Sequence, residues 1–189
     1  MAATIAAVAA GAPAAAATPE HLAALTPTLE TAARLATLES LRTPPRPAAV
    51  FPVRGRADFG ESDARFGAWR SGHVHEGQDV FAPAGTPLVA IRDGRVIETG
   101  DDGGRGNYVA IWNRRVRRTF VYLHMLRPSR VRAGESVRRS QRVGSVGCTG
   151  SCWGDHLHLE VRRGKGTTGR PRDPLPLLRR LAARRARPE

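Results

Sequence analysis

Two short stretches concentrate groups able to hold a metal ion and move protons. The first is His75-Glu76-Gly77-Gln78-Asp79. In an extended chain, side chains alternate, so positions 75, 77 and 79 face one side. The glycine between the two polar residues leaves room for an ion, and imidazole nitrogen and carboxylate oxygen are both ordinary zinc ligands. A plain surface hydrogen bond between His75 and Asp79 would use the same spacing. The second stretch is Asp155-His156-Leu157-His158-Leu159-Glu160-Val161. Its alternation is strict: His156, His158 and Glu160 point one way, and Leu157, Leu159 and Val161 the other. The apolar face needs a core. A face of two imidazoles and a carboxylate suits a ligand site better than a solvent-facing surface.

His124 ends a third run, Thr119-Phe120-Val121-Tyr122-Leu123-His124, where alternation puts it on one face with Tyr122 and Phe120. Five of the six histidines thus fall between positions 73 and 158, with only His21 outside.

Short β-prone runs separated by glycine turns must position these groups: Pro87–Ile91, Arg95–Thr99, Asn107–Trp112, Thr119–His124, Arg142–Val146 and His156–Val161. Asp93-Gly94 reads as a hairpin turn between the first two. The glycine cluster Gly100–Gly106 reads as a hairpin loop, because no strand–loop–helix context makes it a phosphate loop. The expected fold is an all-β core, a curved antiparallel sheet or β-sandwich, with short helical N- and C-terminal extensions.

Around that core, residues 1–17 are alanine-rich and resemble a signal peptide without a basic start. Thr18-Pro19-Glu20 is a helix entry, and Leu22, Leu25, Leu29, Leu35, Leu38 and Leu41 recur at near-helical spacing, split by Pro27. Thr43-Pro44-Pro45-Arg46-Pro47 reads as an extended linker. The expected division is therefore 1–17 signal-like, 18–48 helical segment and linker, 49–175 the β-rich domain with the histidine clusters, and 176–189 a basic tail. In that tail, Leu175, Leu178, Leu181 and Ala182 share a helical face that is either frayed in solvent or turned to a membrane or wall surface.

The 189 residues carry a formal net charge of +13, and 29 of the 30 basic residues are arginines. Such a field favours anionic partners, but no nucleic-acid motif or aromatic-interleaved basic strip accompanies it. No stretch is long and apolar enough for a membrane span. The two cysteines, Cys148 and Cys152, are too few for a disulfide scaffold. They form a local bridge, stay as free thiols, or join His156 and His158 in a closed Cys2His2 zinc site. That last arrangement leaves His75 and Asp79 without a purpose.

The ordered set His75-Glu-Gly-Gln-Asp79, Ala82-Pro-Ala-Gly-Thr-Pro87, Asp93-Gly-Arg-Val96, Gly106-Asn107, Tyr122-Leu-His124, Gly147-Cys-Thr-Gly150 and His156-Leu-His-Leu-Glu160 resembles the M23 (LytM or lysostaphin-type) zinc metallopeptidases over about residues 65–161. The resemblance implies that His75, Asp79 and His158 hold one Zn2+ ion, and that His124 and His156 are the catalytic histidines. Glu160 becomes a candidate for orienting an imidazole. The sequence departs from the family at Ser140, where glycine is common, and at Leu159, where phenylalanine is common. Neither change removes a functional position. The implied activity is hydrolysis of peptide cross-links or stem peptides of bacterial peptidoglycan by a monomer outside the cytoplasm, with anionic wall polymers as further partners. A catalytically silent wall-binding module or activator is the alternative. A nucleic-acid binder is suggested by charge alone.

Overall fold

A computed structural model describes residues 29–34 and 48–186 of the chain. The chain divides into two units, residues 1–46 and 47–189. Within the first, residues 29–34 are helical, and an Arg34–Glu30 ion pair of 3.1 Å spans one turn. The signal-like segment 1–17, most of the leucine-spaced segment and the proline-rich linker lie outside the described residues.

The second unit is built from antiparallel strands. In chain order they are β1 (Trp69–Arg70), β2 (His73–Val74), β3 (Gln78–Phe81), β4 (Pro87–Val89), β5 (Gly94–Asp102), β6 (Gly106–Asn113), β7 (Arg118–Met125), β8 (Ser136–Val137), β9 (Arg142–Ser145), β10 (His156–Arg163) and β11 (Pro171–Arg172). The main sheet runs β11-β10-β7-β6-β5-β8, and β3 also pairs with β10. β10 is therefore flanked by β7 on one edge and by β3 and β11 at different heights on the other. The pairs β1–β2 and β4–β9 form two small sheets.

The period-2 pattern of β10 decides where the core lies. Leu157 and Leu159 are fully buried and join Val80, Tyr122, Phe120 and Leu88 in one apolar cluster. Truncating either leucine to alanine would cost about 2–5 kcal/mol, because such sites relax only partly around a cavity. Leu159 thus fills the position where the family often has phenylalanine. The β4–β9 pair covers this face of the main sheet. Tyr122 ties the two layers: its hydroxyl donates to the Val89 carbonyl at 3.2 Å and accepts the Ile91 amide at 2.9 Å. A smaller cluster of Tyr108, Ala110, Val121 and Leu123 lies apart from the main core.

Several local expectations change. The strands β4 and β5 do not form a hairpin through Asp93-Gly94. β4 pairs with β9, and β5 with β6 and β8. Asp93 is taken up by other elements, its carbonyl accepting from Asn113 and its carboxylate from the Arg139 amide. β5 also runs on through Gly100 to Asp102, with Gly100 opposite Tyr108, so the turn is confined to the last part of the glycine cluster. The C-terminal helix, Leu175–Arg185, buries Leu175, Leu178 and Leu181. Leu178 and Leu181 join the main core, so its apolar stripe is spent there and not on a membrane or wall surface. Among the described residues, no helix is long and apolar enough to cross a membrane. Ser140, in place of the family's common glycine, sits at φ 68°. The left-handed conformation is one that glycine adopts without steric cost. Arg54 donates to the Ser140 hydroxyl at 2.8 Å and helps hold it there.

Candidate metal centre

The antiparallel register sets His158 of β10 opposite Asp79 of β3. His75 comes from the chain just before β3, not from the strand itself. Its amide donates to the Ala68 carbonyl at 2.8 Å, and its own carbonyl accepts the Gly67 amide at 2.9 Å. Strand alternation therefore does not place His75; the backbone bonds to residues 67 and 68 do. Three donor atoms converge. His75 Nε2 is 3.2 Å from Asp79 Oδ1 and 2.9 Å from His158 Nδ1, and His158 Nδ1 is 2.9 Å from Asp79 Oδ1.

The outer ring atoms show which nitrogens face inward with lone pairs. A carbonyl can only accept, so His75 Nδ1 donates to the Arg65 carbonyl at 2.8 Å, leaving Nε2 unprotonated. His158 Nε2 lies 3.4 Å from Glu160 Oε1, which leaves Nδ1 as its inward lone pair. Two imidazole lone pairs and a carboxylate oxygen at these spacings repel unless a cation or proton sits among them. A tetrahedral zinc with bonds near 2.1 Å has ligand–ligand edges of about 3.4 Å. The donor set of His75, Asp79 and His158 fits such an ion. Burial opposes ionisation of Asp79, but the neighbouring His158 and His75 outweigh it and hold the carboxyl below the usual range.

Gly77 serves this geometry differently from the sequence expectation. A β-carbon there would stand 2.5 Å from His158 Nε2 and 2.7 Å from the Leu159 carbonyl oxygen. The space it leaves is for the His158 ring. Gly77→Ala is expected to displace that ring, lower stability by about 1–3 kcal/mol and reduce bound zinc below one equivalent. Thermal melts and metal analysis of the purified variant would check it.

His124 corrects the sequence expectation most directly. Tyr122 and Phe120 face the main core, so regular alternation would bury His124 beside them. Instead His124 adopts φ 60°, which breaks the alternation and turns its ring to the metal face. There its centroid lies 5.0 Å from that of His156 and 5.8 Å from that of His158. The His124 Nδ1 atom donates to the Thr149 carbonyl and His156 Nδ1 to the Gly154 carbonyl, each at 2.8 Å. Each ring therefore presents an unprotonated Nε2, and His156 Nε2 is 3.5 Å from Asp79 Oδ1. Burial favours the neutral form of both. It pushes His124 down to about 4 against the pull of its Thr149 bond, and it lowers His156 against the attraction of Asp79.

Arg70 and Arg162 also serve the site but carry no spacing signal. Arg70, one of 29 arginines, donates to Asp79 Oδ2 at 2.6 Å and also to the Asp63 carbonyl. Glu160 is mostly buried, and its second oxygen accepts from Arg162 at 2.7 Å; Arg162 also pairs with Glu76. Burial opposes ionisation of Glu160, but the bonds from His158 and Arg162 prevail and lower its pKa. Glu160→Gln is expected to loosen His158 and weaken zinc affinity about 10–100-fold, as read by chelator competition. His73 is exposed on β2 and is not part of the three-donor group. Cys148 and Cys152 form a disulfide, which rules out the closed Cys2His2 arrangement.

Comparison with known proteins places the chain in a family. Residues 73–174 match peptidase family M23. The chain belongs to that family. Among M23-related proteins, the peptidoglycan DD-endopeptidase ShyC of Vibrio cholerae is 37% identical over 116 residues, covering 57% of this chain and 26% of ShyC. Lysostaphin of Staphylococcus staphylolyticus is 33% identical over 111 residues, covering 58% of this chain and 23% of its own. The chain thus spans about a quarter of the length of these relatives. The catalytic domain of lysostaphin from Staphylococcus simulans superposes with a TM-score of 0.56 at 28% identity, over 66% of this chain and 92% of that one. A zinc-containing peptidase from Vibrio cholerae gives 0.54 at 29% identity, over 67% and 39%. The all-β core is the M23 peptidase fold.

Proposed function

We propose that this protein is a zinc-dependent endopeptidase that hydrolyses peptide cross-links or stem peptides of bacterial peptidoglycan. The reading rests on one observation above all: three inward donors on His75, Asp79 and His158 face two further histidines with free Nε2 atoms. Bound to the three donors, one Zn2+ ion would supply Lewis acidity, acidifying a water and polarising the scissile carbonyl.

The chain's own groups do the rest. His124 and His156 are neutral, and their Nδ1–H groups are tied to backbone carbonyls. Their Nε2 atoms can take the proton of the attacking water, and once protonated can donate to the oxyanion or the departing amine. Burial keeps these rings from being protonated beforehand. Arg70 neutralises Asp79 from behind and fixes which carboxylate oxygen faces inward.

Two clefts approach the centre, and Arg70, His124 and Ser151 line both. An extended peptide crossing the site can therefore be gripped on both sides of its scissile amide. This substrate places the protein outside the cytoplasm, and the Cys148–Cys152 disulfide supports that location. The net charge of +13 favours retention by anionic wall polymers. The test is to load the protein with zinc, digest purified peptidoglycan and identify the new ends by mass spectrometry. New amino and carboxyl termini within the peptides are expected; intact peptides would refute the reading.

A further inference from the structure

Among the described residues, two tryptophans stand out as exposed, Trp153 at 92% and Trp69 at 72%. Leaving an indole in water forfeits a large hydrophobic gain, so exposed tryptophans tend to mark binding surfaces. Both line one cleft of about 350 Å³, which also contains Asp79, His124 and His156. Phe81 adds a third aromatic wall, its ring 5.5 Å from that of His156. The cleft on the other side of the centre carries no aromatic residue other than histidine and is lined by charged groups including Glu76, Arg105 and Glu160.

Each tryptophan is one peptide bond from a residue bonded to the centre. Trp69 precedes Arg70, whose guanidinium grips Asp79. Trp153 precedes Gly154, whose carbonyl holds His156. Trp153 also follows Cys152, whose bridge to Cys148 closes the loop behind it. The two indoles are thus carried on separate elements, the β1–β2 pair and the disulfide-closed loop, each anchored to the site.

The geometry points to Trp69 and Trp153 as an aromatic clamp for the substrate's peptide on one side of the scissile amide. This rests on the peptidase reading above and specifies its substrate contacts. The occupant is peptide and not sugar, because the cleft includes the reacting centre itself. Small or aliphatic side chains lie against the indole faces, while the polar cleft takes the other half of the substrate.

The test uses the zinc-loaded protein on two substrates: whole purified peptidoglycan, and cross-linked peptides freed of glycan by an amidase. Trp69→Ala and Trp153→Ala should each raise KM about tenfold on both substrates. The kcat should stay within about threefold and zinc content should not change. Trp153→Phe should restore most of the loss. An unchanged KM on both substrates would overturn the clamp. So would a loss confined to whole peptidoglycan, which would assign the indoles to sugar, or a loss of zinc, which would make them structural. Should wild type cleave neither substrate, the peptidase reading fails on its own. The clamp is then read by titrating the glycan-free peptides and following tryptophan emission. A shift that disappears in Trp153→Ala supports it, and no shift overturns it.

Discussion

His158→Ala is expected to release the zinc and lower peptidoglycan hydrolysis by about 10⁴-fold or more, equivalent to about 5 kcal/mol of transition-state stabilisation. The reason lies in the register. His158 faces Asp79 across β3 and β10, and its Nδ1 closes the three-donor triangle at 2.9 Å from both neighbours. Two donors cannot hold zinc with the affinity of three. Dialysis against a strong chelator should reproduce the loss in wild type, and added Zn2+ should restore it there but not in the variant. Metal analysis and release of soluble wall fragments check both halves. Full hydrolysis by zinc-free protein would eliminate the metallopeptidase reading.

His124→Ala and His156→Ala should behave differently. Each variant should keep one equivalent of zinc, since neither ring is among the three donors, while kcat falls about 10²–10⁴-fold. The double variant should fall little further than the worse single one, because groups that act on one proton path are not additive. His124→Ala also removes a side chain from a residue at φ 60°, so His124→Asn is a useful second variant: asparagine tolerates that conformation and isolates the loss of the imidazole. Retained zinc with lost turnover separates this centre from a silent binding module. A module would bind wall peptides without cleavage in every variant, wild type included. Loss of zinc on either substitution would instead make that histidine a ligand and break the assignment.

Much of this was legible in one dimension because β10 is strictly periodic. With alternate residues pointing to opposite faces, Leu157-Leu159-Val161 had to meet a core and His156-His158-Glu160 had to meet something polar. Metal-ligand chemistry is restricted to a few residue types, so the ordered His75, Asp79, His124, His156 and His158 stood out in a chain with six histidines. The all-β character followed from the same short runs and glycine turns.

Tertiary structure alone decided the contacts that no local pattern encodes. The partner of β4 is β9, more than 50 positions away, because Leu88, Tyr122 and Val143 bury together, not because of the nearby Asp93-Gly94 turn. His124 reaches the metal face through a left-handed backbone that alternation could not foresee, held where its amide meets Arg105 and its ring meets Thr149. Arg70 is indistinguishable in sequence from its many fellow arginines, and only the folded chain sets its guanidinium on Asp79. Residue type and spacing, both local properties, marked the two stretches as candidate ligand sites, and the resemblance to the M23 family singled out His75, Asp79 and His158 among them. Which lone pairs converge, and which carbonyls orient each ring, depends on distances between segments up to 83 positions apart, and those are set only by folding.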